Sequence, residues 1–301
     1  MPIFLSNVRL ADKTTFGIGG PAGVYCAPAQ EQDIVDAIAW ARTNHAPFLV
    51  LGKGSNLLVS DAGFPGLVVD LAAHWTGTVW NGDCAQCKSG TLLHSLVKES
   101  VDRGYAGMEK LAGIPGSVGG AVVMNAGAFG QEIAGCLTSV GSVDLVTAQS
   151  KSVSAPDLAA AYRTSVFKSA DTLVLSATFC FVHDQSGAAR EVFREVLAKR
   201  KQRHPLDLPN CGSVFKNPPA AAGATAGQLI EQCGLKGAIR GDAQVSLTHA
   251  NFIVNLGAAM ADDVRALIVQ VQKTVFDIRG ILLEPEVVFA GEFREPLFTP
   301  R

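Results

Sequence analysis

A small set of polar and charged side chains could stabilise a developing negative charge and supply a proton: Arg163, Ser213, Lys216, His249, Glu284 and Glu286. A guanidinium stays charged and grips a carboxylate through two parallel hydrogen bonds. A serine hydroxyl is a weak acid, so Ser213 needs a nearby cation and a place in a relay, which Lys216 or a water molecule could provide. Each of these residue types is also common in structural roles, so none of them alone predicts a reaction.

The loop around Ser213 is a candidate active loop. Cys211–Pro218 is dense in Ser, Lys and Asn and is bounded by prolines, a composition typical of a functional segment held in shape. No Gly-x-Ser-x-Gly elbow surrounds Ser213, so acyl transfer is unsupported. No HExxH or comparable ligand spacing favours a metal, and we expect none.

The stretch from Leu111 to Gly130 carries no charge and contains six glycines. Clustered glycines let backbone N–H groups approach a ligand closely, and a phosphate-bearing ligand suits such a site. A tight corner in a packed sheet is the structural alternative. A membrane span is excluded because Pro115 and the glycines would leave backbone groups unpaired in lipid.

A second glycine segment follows a predicted buried strand at Phe48–Leu51. Here Gly52-Lys-Gly-Ser-Asn56 offers backbone N–H groups, and Ser55 and Asn56 could add side-chain hydrogen bonds to a pyrophosphate or ring. The segment matches neither the Walker pattern nor the Rossmann fingerprint, and a strand-like segment follows where a βαβ unit has its helix. A different nucleotide-binding fold is required.

Composition bounds the class of protein. The 301 residues are 48% hydrophobic and 17% charged with a net charge of -2, which is typical of a globular enzyme and offers no basic surface for nucleic acid. The amino terminus has no cationic leader and only a short apolar run, so we expect a cytoplasmic protein. The seven cysteines are scattered and odd in number, so we expect reduced thiols. Cys84 and Cys87 form a CxxC pair without a second pair for zinc, and we interpret them as ordinary strand residues.

The length predicts two domains. Hydrophobic periodicity predicts helices near 33–44, 91–104, 190–203, 228–233 and 262–275, and strands near 48–51, 66–71, 84–88, 137–147, 151–153, 172–182, 250–255 and 281–289. Arg163 falls in an apolar, strand-like context. Glu284 and Glu286 are expected on the same side of the last strand. A polar turn at 184–187 and the charged helix after it mark the boundary between the domains.

Taken together, several segments resemble, in order, the UDP-N-acetylenolpyruvoylglucosamine reductase (MurB) family of peptidoglycan-precursor flavoenzymes. The matching segments are Thr15-Phe-Gly-Ile-Gly-Gly, Leu51-Gly-Lys-Gly-Ser-Asn-Leu-Leu, Gly113-Ile-Pro-Gly-Ser-Val-Gly-Gly, Asn125-Ala-Gly-Ala-Phe-Gly, Tyr162-Arg-x-Ser-x-Phe, Gly212-Ser-Val-Phe-Lys-Asn-Pro, His249-Ala-Asn-Phe-Ile-Val-Asn and Leu283-Glu-Pro-Glu-Val. Each match alone has modest specificity, whereas all eight matches in the same order are highly specific for the family.

The resemblance implies an α+β protein with a two-lobed FAD-binding domain of the vanillyl-alcohol oxidase (PCMH) type at 1–186, with lobes at about 1–71 and 72–186. An α+β substrate-binding domain would follow at 187–301, its C-terminal strand returning to the active site. The implied enzyme is a UDP-N-acetylmuramate dehydrogenase, a cytoplasmic monomer in which NADPH reduces non-covalent FAD. The reduced FAD would then pass hydride to the enolpyruvyl group of UDP-N-acetylglucosamine enolpyruvate.

The resemblance also assigns roles to single residues. Ser213 takes the proton-donor position, and Arg163 and Glu286 take those that polarise and orient the enolpyruvyl group, with Glu284 as the rival of Glu286. The implied FAD-binding residues are Gly52, Lys53, Gly54, Ser55, Asn56, Leu57, Gly113, Ile114, Pro115, Gly116, Ser117, Gly119, Gly120, Asn125, Ala126 and Gly127. The implied substrate-binding residues are Tyr162, Lys216, Asn217, His249 and Asn251.

The sequence departs from the family pattern at two positions. Gln228 stands where a lysine is expected and His204 where a glutamine is expected, so Lys236 or Arg240 would have to supply the cation for the diphosphate. Some members of the family carry a tyrosine-bearing insert between the positions of Arg163 and Ser213. This sequence has no obvious insert there and so resembles the shorter form of the family. Two alternatives remain: an FAD oxidase of the same fold acting on an alcohol or sugar, and a non-catalytic nucleotide-binding module.

Overall fold

The structure is a computed structural model that describes residues 2–168 and 171–300. Two compact units make up the chain. The first unit comprises Met1–Leu5, Val24–Lys53 and Gly66–Arg200, and the second comprises Ser6–Gly23, Gly54–Pro65 and Lys201–Arg301. The expected division between residues 186 and 187 stays a prediction.

The α-helices found in the described part of the chain are α1 Glu31–Thr43, α2 Leu71–His74, α3 Leu93–Asp102, α4 Val118–Val123, α5 Ala188–Arg203, α6 Ala226–Gln232 and α7 Ala261–Arg279. Short 3-10 helices cover Leu10–Lys13, Glu109–Leu111, Ile133–Gly135, Pro156–Leu158, Val166–Lys168 and Ala220–Ala222. All five predicted helices are present with ends shifted by a few residues. The longest, α7, begins where the Asp263 carboxylate accepts a hydrogen bond from the Met260 N–H (3.1 Å) and ends at Gly280, whose φ is +67°.

The strands are β1 Phe4–Ser6, β2 Ala22–Cys26, β3 Phe48–Leu51, β4 Leu57–Val59, β5 Phe64–Asp70, β6 Thr78–Asn81, β7 Cys84–Lys88, β8 Tyr105–Ala106, β9 Gly127–Ala128, β10 Gln131–Glu132, β11 Leu137–Asp144, β12 Ser150–Ser154, β13 Thr172–Cys180, β14 Val182–His183, β15 Ile239–Arg240, β16 Ala243–Val245, β17 Ile253–Asn255 and β18 Val288–Ala290. Most predicted strands are present. The last one is an exception because only Val288–Ala290 is regular strand, so the expectation that Glu284 and Glu286 share one face of a strand is wrong. Pro285 lies between them and has no N–H to donate to a ladder.

The first unit contains two larger sheets with separate cores, in addition to the two-stranded pairs β9-β10 and β8-β14. A five-stranded sheet has the order β12-β11-β13-β7-β6, and its core includes Leu96, Val122 and Phe179. A four-stranded sheet has the order β1-β2-β5-β3, with β3 and β5 parallel. Its core includes Ile38 and Leu67. Helices packed against these sheets in two cores give this unit its α+β character.

The second unit is built around one core. Helix α7 contributes the side chains of its apolar stripe to this core, including Leu267. A three-stranded sheet, β15-β16-β17, and the parallel pair β18-β4 belong to the same unit. The pairing of Val288 with Leu57 places the segment that follows Glu286 beside the segment that follows Asn56.

The expectation that the cysteines are reduced thiols is wrong for two of them. Cys84 and Cys180 form a disulfide, with their Cα atoms 4.1 Å apart. The antiparallel pairing of β7 with β13 places the two residues directly opposite each other. Because 96 positions separate them in sequence, a spacing motif does not reveal this pair. Five cysteines are free, Cys87 among them.

No helix in the part of the chain that the structure describes is long and apolar enough to cross a membrane.

Candidate active site

The central glycine stretch folds as a 3-10 turn, a loop and the short helix α4. Ser117 precedes α4, and its hydroxyl oxygen accepts a hydrogen bond from the Gly120 N–H (3.3 Å). The Gly119 N–H donates to the Ser89 carbonyl (2.7 Å), and a β-carbon on Gly119 would lie 2.7 Å from that of Ser89. The glycine at 119 is therefore required for close packing, in addition to any contact with a ligand.

The second glycine segment meets the first. A β-carbon on Gly52 would lie 2.2 Å from the hydroxyl oxygen of Ser117, so the backbone at Gly52 lies directly against the start of α4. Both segments were predicted independently to cradle a phosphate. Gly52 and the start of α4 thus adjoin within the first unit, while the Lys53 side chain is exposed.

Asn125 organises the residues that surround Arg163. It is fully buried, and its Nδ2 donates to the Glu132 carboxylate (2.7 Å) and to the Ala161 carbonyl (3.1 Å). Its own φ is +41°. A buried amide satisfied in this way fixes the segment Asn125–Gly127 against the turn that carries Arg163.

Arg163 lies in a tight turn, so the strand-like interpretation of this segment is wrong. Ala161 and Thr164 exchange two backbone hydrogen bonds of 3.1 Å across the turn, which gives Arg163 a φ of +56°. Its Nη2 donates to the Gly127 carbonyl (3.1 Å), and its guanidinium carbon lies 5.1 Å from the centre of the exposed Tyr162 ring. Positive φ at a residue other than glycine is strained, and such strain clusters at functional sites.

Arg200 near the end of α5 is a candidate site residue that the sequence interpretation missed. Its Nε is shielded from solvent and has no hydrogen-bond partner. Its Cδ would lie 3.0 Å from a β-carbon on Gly113, and its guanidinium carbon lies 5.7 Å from the centre of the Phe129 ring. Burial, and after it the charge of Arg163, lower the pKa of this guanidinium to about 10. A sequence signal that could have identified Arg200 is its helical spacing from Phe193 and Leu197, which places it on the inner face of α5.

The Ser213 loop (Cys211–Pro218) is held by Asn251 in the second unit. The Val214 N–H donates to the Asn251 carbonyl (2.8 Å). The side-chain amide of Asn251 accepts from the Phe215 N–H (3.0 Å) and donates to the Phe215 carbonyl (2.8 Å). Both ends of this buried amide are therefore bound to the backbone two residues after Ser213.

Glu286 is held on the same loop by backbone hydrogen bonds. The Glu286 N–H donates to the Val214 carbonyl (2.7 Å), and the Lys216 N–H donates to the Glu284 carbonyl (2.9 Å). Val214 follows Ser213 in the chain, and its carbonyl accepts the hydrogen bond from Glu286. The backbone of Glu286 is therefore held beside the residue that follows Ser213. Glu284 instead forms an ion pair with Lys216 and is largely exposed, so the structure separates the two candidate acids.

The remaining substrate-binding candidates lie close to the Ser213 loop. Asn217 accepts a hydrogen bond from the Ala226 N–H (3.1 Å) at the start of α6. His249 Nδ1 accepts from the Asn251 N–H (3.2 Å), and burial lowers the pKa of His249. The neutral imidazole is therefore favoured here.

Gln228, found where a lysine was expected, has a structural role. Its side-chain oxygen accepts from the Thr225 N–H (2.9 Å), while the Thr225 hydroxyl oxygen accepts from the Gln228 N–H (3.3 Å). This reciprocal pair is a capping box at the start of α6. Lys236, one suggested replacement cation, forms an ion pair with Glu231 (2.8 Å).

The residues of the first unit fit a bound FAD. Glycine backbone at Gly52 and Gly113–Gly120 suits close approach of a phosphate or ring. Arg200 is half-buried. Its Nε is shielded from solvent and has no hydrogen-bond partner among the described residues, so this donor is available to a ligand.

Family models match both halves of the chain. A model described as an FAD binding domain matches residues 22–155, and one described as the C-terminal domain of UDP-N-acetylenolpyruvoylglucosamine reductase matches residues 204–290. Fold and site thus define an FAD-binding protein of two α+β parts, and the predicted fold class is confirmed.

Relatives cover nearly the whole chain. Proteins named UDP-N-acetylenolpyruvoylglucosamine reductase are 43% identical over 296 residues in Synechococcus elongatus (96% of this chain, 95% of the relative) and 40% identical over 286 residues in Listeria monocytogenes (95% and 94%). The crystal structure of the Thermus caldophilus enzyme (MurB) matches with a TM-score of 0.80 and 34% identity, covering 97% of this chain and 100% of that one. The chain belongs to the UDP-N-acetylenolpyruvoylglucosamine reductase family, as its motifs predicted.

Proposed function

We propose that this chain reduces the enolpyruvyl group of UDP-N-acetylglucosamine enolpyruvate to the lactyl ether of UDP-N-acetylmuramate, using NADPH and bound FAD, in peptidoglycan precursor synthesis. The observation that carries the proposal is family membership at 43% identity across 96% of the chain. The backbone hydrogen bond from Glu286 to Val214, the residue after Ser213, supports the proposal.

The glycine segments of the chain would hold FAD, which would supply the redox chemistry for moving hydride from NADPH to the methylene carbon of the substrate. Addition at that carbon leaves negative charge on the neighbouring carbon and its carboxylate, which the protein must stabilise. In this proposal the Arg163 guanidinium binds the carboxylate through two-point hydrogen bonding. The tight turn that holds Arg163 reduces the entropy lost when this contact forms.

Ser213 is the proposed proton donor to the carbon that receives negative charge. Glu286, as a hydrogen-bonded or protonated partner, would orient the enolpyruvyl group. Lys216 is paired with Glu284, so in the proton relay a water molecule is favoured over Lys216. The same ion pair supports Glu286 over Glu284 as the acid of the site.

The backbone of Gly52–Leu57 and of Gly113–Gly120 is proposed to bind the FAD pyrophosphate, with Asn125–Gly127 closer to the flavin. Tyr162, Lys216, Asn217, His249 and Asn251 are proposed to line the substrate site. For Asn251 we propose an indirect role, because both ends of its side-chain amide bind Phe215. We further propose that the enzyme acts in the cytoplasm, where its nucleotide substrates are made, and as a monomer.

The test begins with the purified protein. We expect a yellow chromophore that acid releases as FAD. NADPH should bleach this chromophore in the absence of oxygen, and the enolpyruvyl sugar nucleotide should restore its colour. A colourless protein from flavin-replete cells would refute the proposal. A flavin that an alcohol or sugar reduces, and that the enolpyruvyl compound does not reoxidise, would favour an oxidase of the same fold.

A further inference from the structure

His94 lies in the first turn of α3 and binds the backbone of the central glycine stretch. Its Nδ1 accepts a hydrogen bond from the Gly113 N–H (3.3 Å). The side chain is half-buried, and its ring stacks against Phe193 of α5 with the ring centres 5.8 Å apart. An imidazole nitrogen that accepts a hydrogen bond carries no proton, so this contact requires the neutral ring with its hydrogen on Nε2.

The start of α3 makes two further hydrogen bonds to the same loop. The Leu93 N–H donates to the Gly116 carbonyl (3.0 Å), and the Val118 N–H donates to the Thr91 carbonyl (2.8 Å). Gly116 has a φ of +148°, a conformation that residues other than glycine rarely adopt. The loop before α4 is thus held by backbone hydrogen bonds that do not titrate and by one imidazole that does.

The charges on α3 and α5 do not favour a protonated His94. Burial, and after it the charge of Lys98 one turn further along α3, lower the pKa of His94. Arg200 of α5, whose side chain lies against the same loop, is also a cation. Arg190 of α5 is directed to Asp102 at the other end of α3 (3.7 Å). The neutral ring that the contact requires is therefore the form present at neutral pH.

Two other elements pack against α3 and carry titratable groups. In the 3-10 helix that precedes the glycine loop, the Glu109 carboxylate accepts a hydrogen bond from the Gly107 N–H (2.7 Å), and Lys110 follows it. In β8 the Tyr105 hydroxyl donates to the Gly82 carbonyl (3.0 Å). The acid among these groups is thus engaged within its own turn.

Protonation of His94 removes the acceptor on which the contact depends. A doubly protonated imidazole has a donor on each nitrogen, so its Nδ1–H would face the Gly113 N–H, donor against donor. The ring or the loop would then have to move. A loop already held in its bound conformation loses less entropy when a ligand binds, so release of the loop weakens binding. By linkage, a ligand that needs the ordered loop opposes this protonation to the same extent.

We propose that His94 is a positioning residue for FAD: its neutral imidazole holds the loop Gly113–Gly116 in the conformation that binds the cofactor, and its protonation releases that loop. This rests on the proposed function. A protein without flavin would refute that function, whereas a flavoprotein whose affinity for FAD is independent of His94 would refute only the role of His94.

The experiment measures release of FAD from diluted holoenzyme by the rise in flavin fluorescence, from about pH 8 to about pH 5, the range in which histidine titrates. We expect the dissociation constant of the wild type to rise about fivefold or more across this range, the effect of losing one hydrogen bond. The variant His94→Asn places an amide oxygen near the position of Nδ1 and does not titrate. It should bind FAD like the wild type at about pH 8 and lose most of the pH dependence.

Two further variants separate the contact from general effects of substitution. His94→Leu removes the acceptor and should bind FAD about fivefold more weakly than the wild type at about pH 8, with little pH dependence. His74→Asn makes the conservative change at an exposed position at the end of α2. This control should keep both the affinity and the pH dependence of the wild type.

Three results would overturn the proposal. An FAD affinity of the wild type that does not change with pH would show that protonation leaves the loop in place. Full pH dependence in His94→Asn would assign the titration to another group. Unchanged FAD affinity in His94→Leu, with lower thermal stability alone, would indicate a purely structural contact. If His94→Leu fails to fold, the comparison of the wild type with His94→Asn decides the matter.

Discussion

The side-chain amide nitrogen of Asn56 donates a hydrogen bond of 3.1 Å to the backbone carbonyl of Glu286. The Val288 N–H donates in turn to the Asn56 carbonyl (3.0 Å). One residue of a glycine segment thus holds the chain on both sides of Val287. A position first interpreted as a ligand contact fixes the segment that carries the proposed catalytic acid.

Replacing Asn56 by alanine should disturb Glu286 more than it disturbs FAD. We expect a loss of about 1 kcal/mol in the free energy of unfolding, which is typical of one hydrogen bond, and reoxidation by the sugar nucleotide slowed several-fold. Stopped-flow measurement of the two half-reactions tests this, with the exposed Asn81→Ala as control. Slower flavin reduction with unchanged reoxidation would contradict it.

Ser213→Ala should separate the two half-reactions sharply. Flavin reduction by NADPH should stay near the wild-type rate, while reoxidation by the enolpyruvyl sugar nucleotide should fall by roughly 10²-fold or more, the usual contribution of a general acid. Single-turnover absorbance at the flavin band measures both rates. An equal loss in the two half-reactions would argue against proton donation by Ser213.

Asn251→Asp should loosen the Ser213 loop. The substitution removes the donor to the Phe215 carbonyl and places an acceptor against an acceptor inside the protein, which costs roughly 1–3 kcal/mol of stability. Denaturant unfolding should show this loss, with slower reoxidation of the flavin by substrate. Asn81→Asp, at an exposed position outside the proposed site, is the control. A stable variant with wild-type reoxidation would show that the loop does not need this amide.

Reduction of the Cys84–Cys180 disulfide should destabilise the first unit. The bridge closes a long segment, and such disulfides contribute about 2–4 kcal/mol. Thermal unfolding with and without dithiothreitol should show a lower melting temperature in the reductant, and alkylation with mass spectrometry should identify the pair. The Cys84→Ser/Cys180→Ser double variant should melt like the reduced protein in both conditions. Complete alkylation of native protein without reductant would contradict the bridge.

Acidification should weaken the fold partly through His249. Burial lowers the pKa of His249 below the value of about 6.5 found in unfolded chains, so the unfolded chain binds more protons. Stability is full above that value and falls as the pH drops from about 6.5 towards the folded pKa. His94, whose pKa burial also lowers, adds a loss of the same sign. Urea midpoints at several pH values should fall less steeply for His249→Gln than for wild type or the exposed His74→Gln.

The sequence predicted most helices and strands because their apolar periodicity is local. It also predicted the family, because eight motifs recur in order. It could not predict the turn at Arg163, since a positive φ is imposed by Ala161 and Thr164 and is not encoded in side-chain pattern. Arg200 was missed because its charge resembles that of the solvated residues around it, and its contact with Gly113, which is distant in sequence, appears only in the fold. The pairing of Cys84 with Cys180 depends on sheet register in the same way.

The disulfide also gives the chain a mechanical property. Because Cys84 and Cys180 are covalently joined, the residues between them, including the whole glycine stretch, form a closed ring in the polypeptide. A protein pulled from its two ends would keep this ring closed after all other structure had unravelled. Its fully stretched length should therefore be roughly 330 Å shorter than that of the reduced chain, a difference that single-molecule force spectroscopy resolves directly.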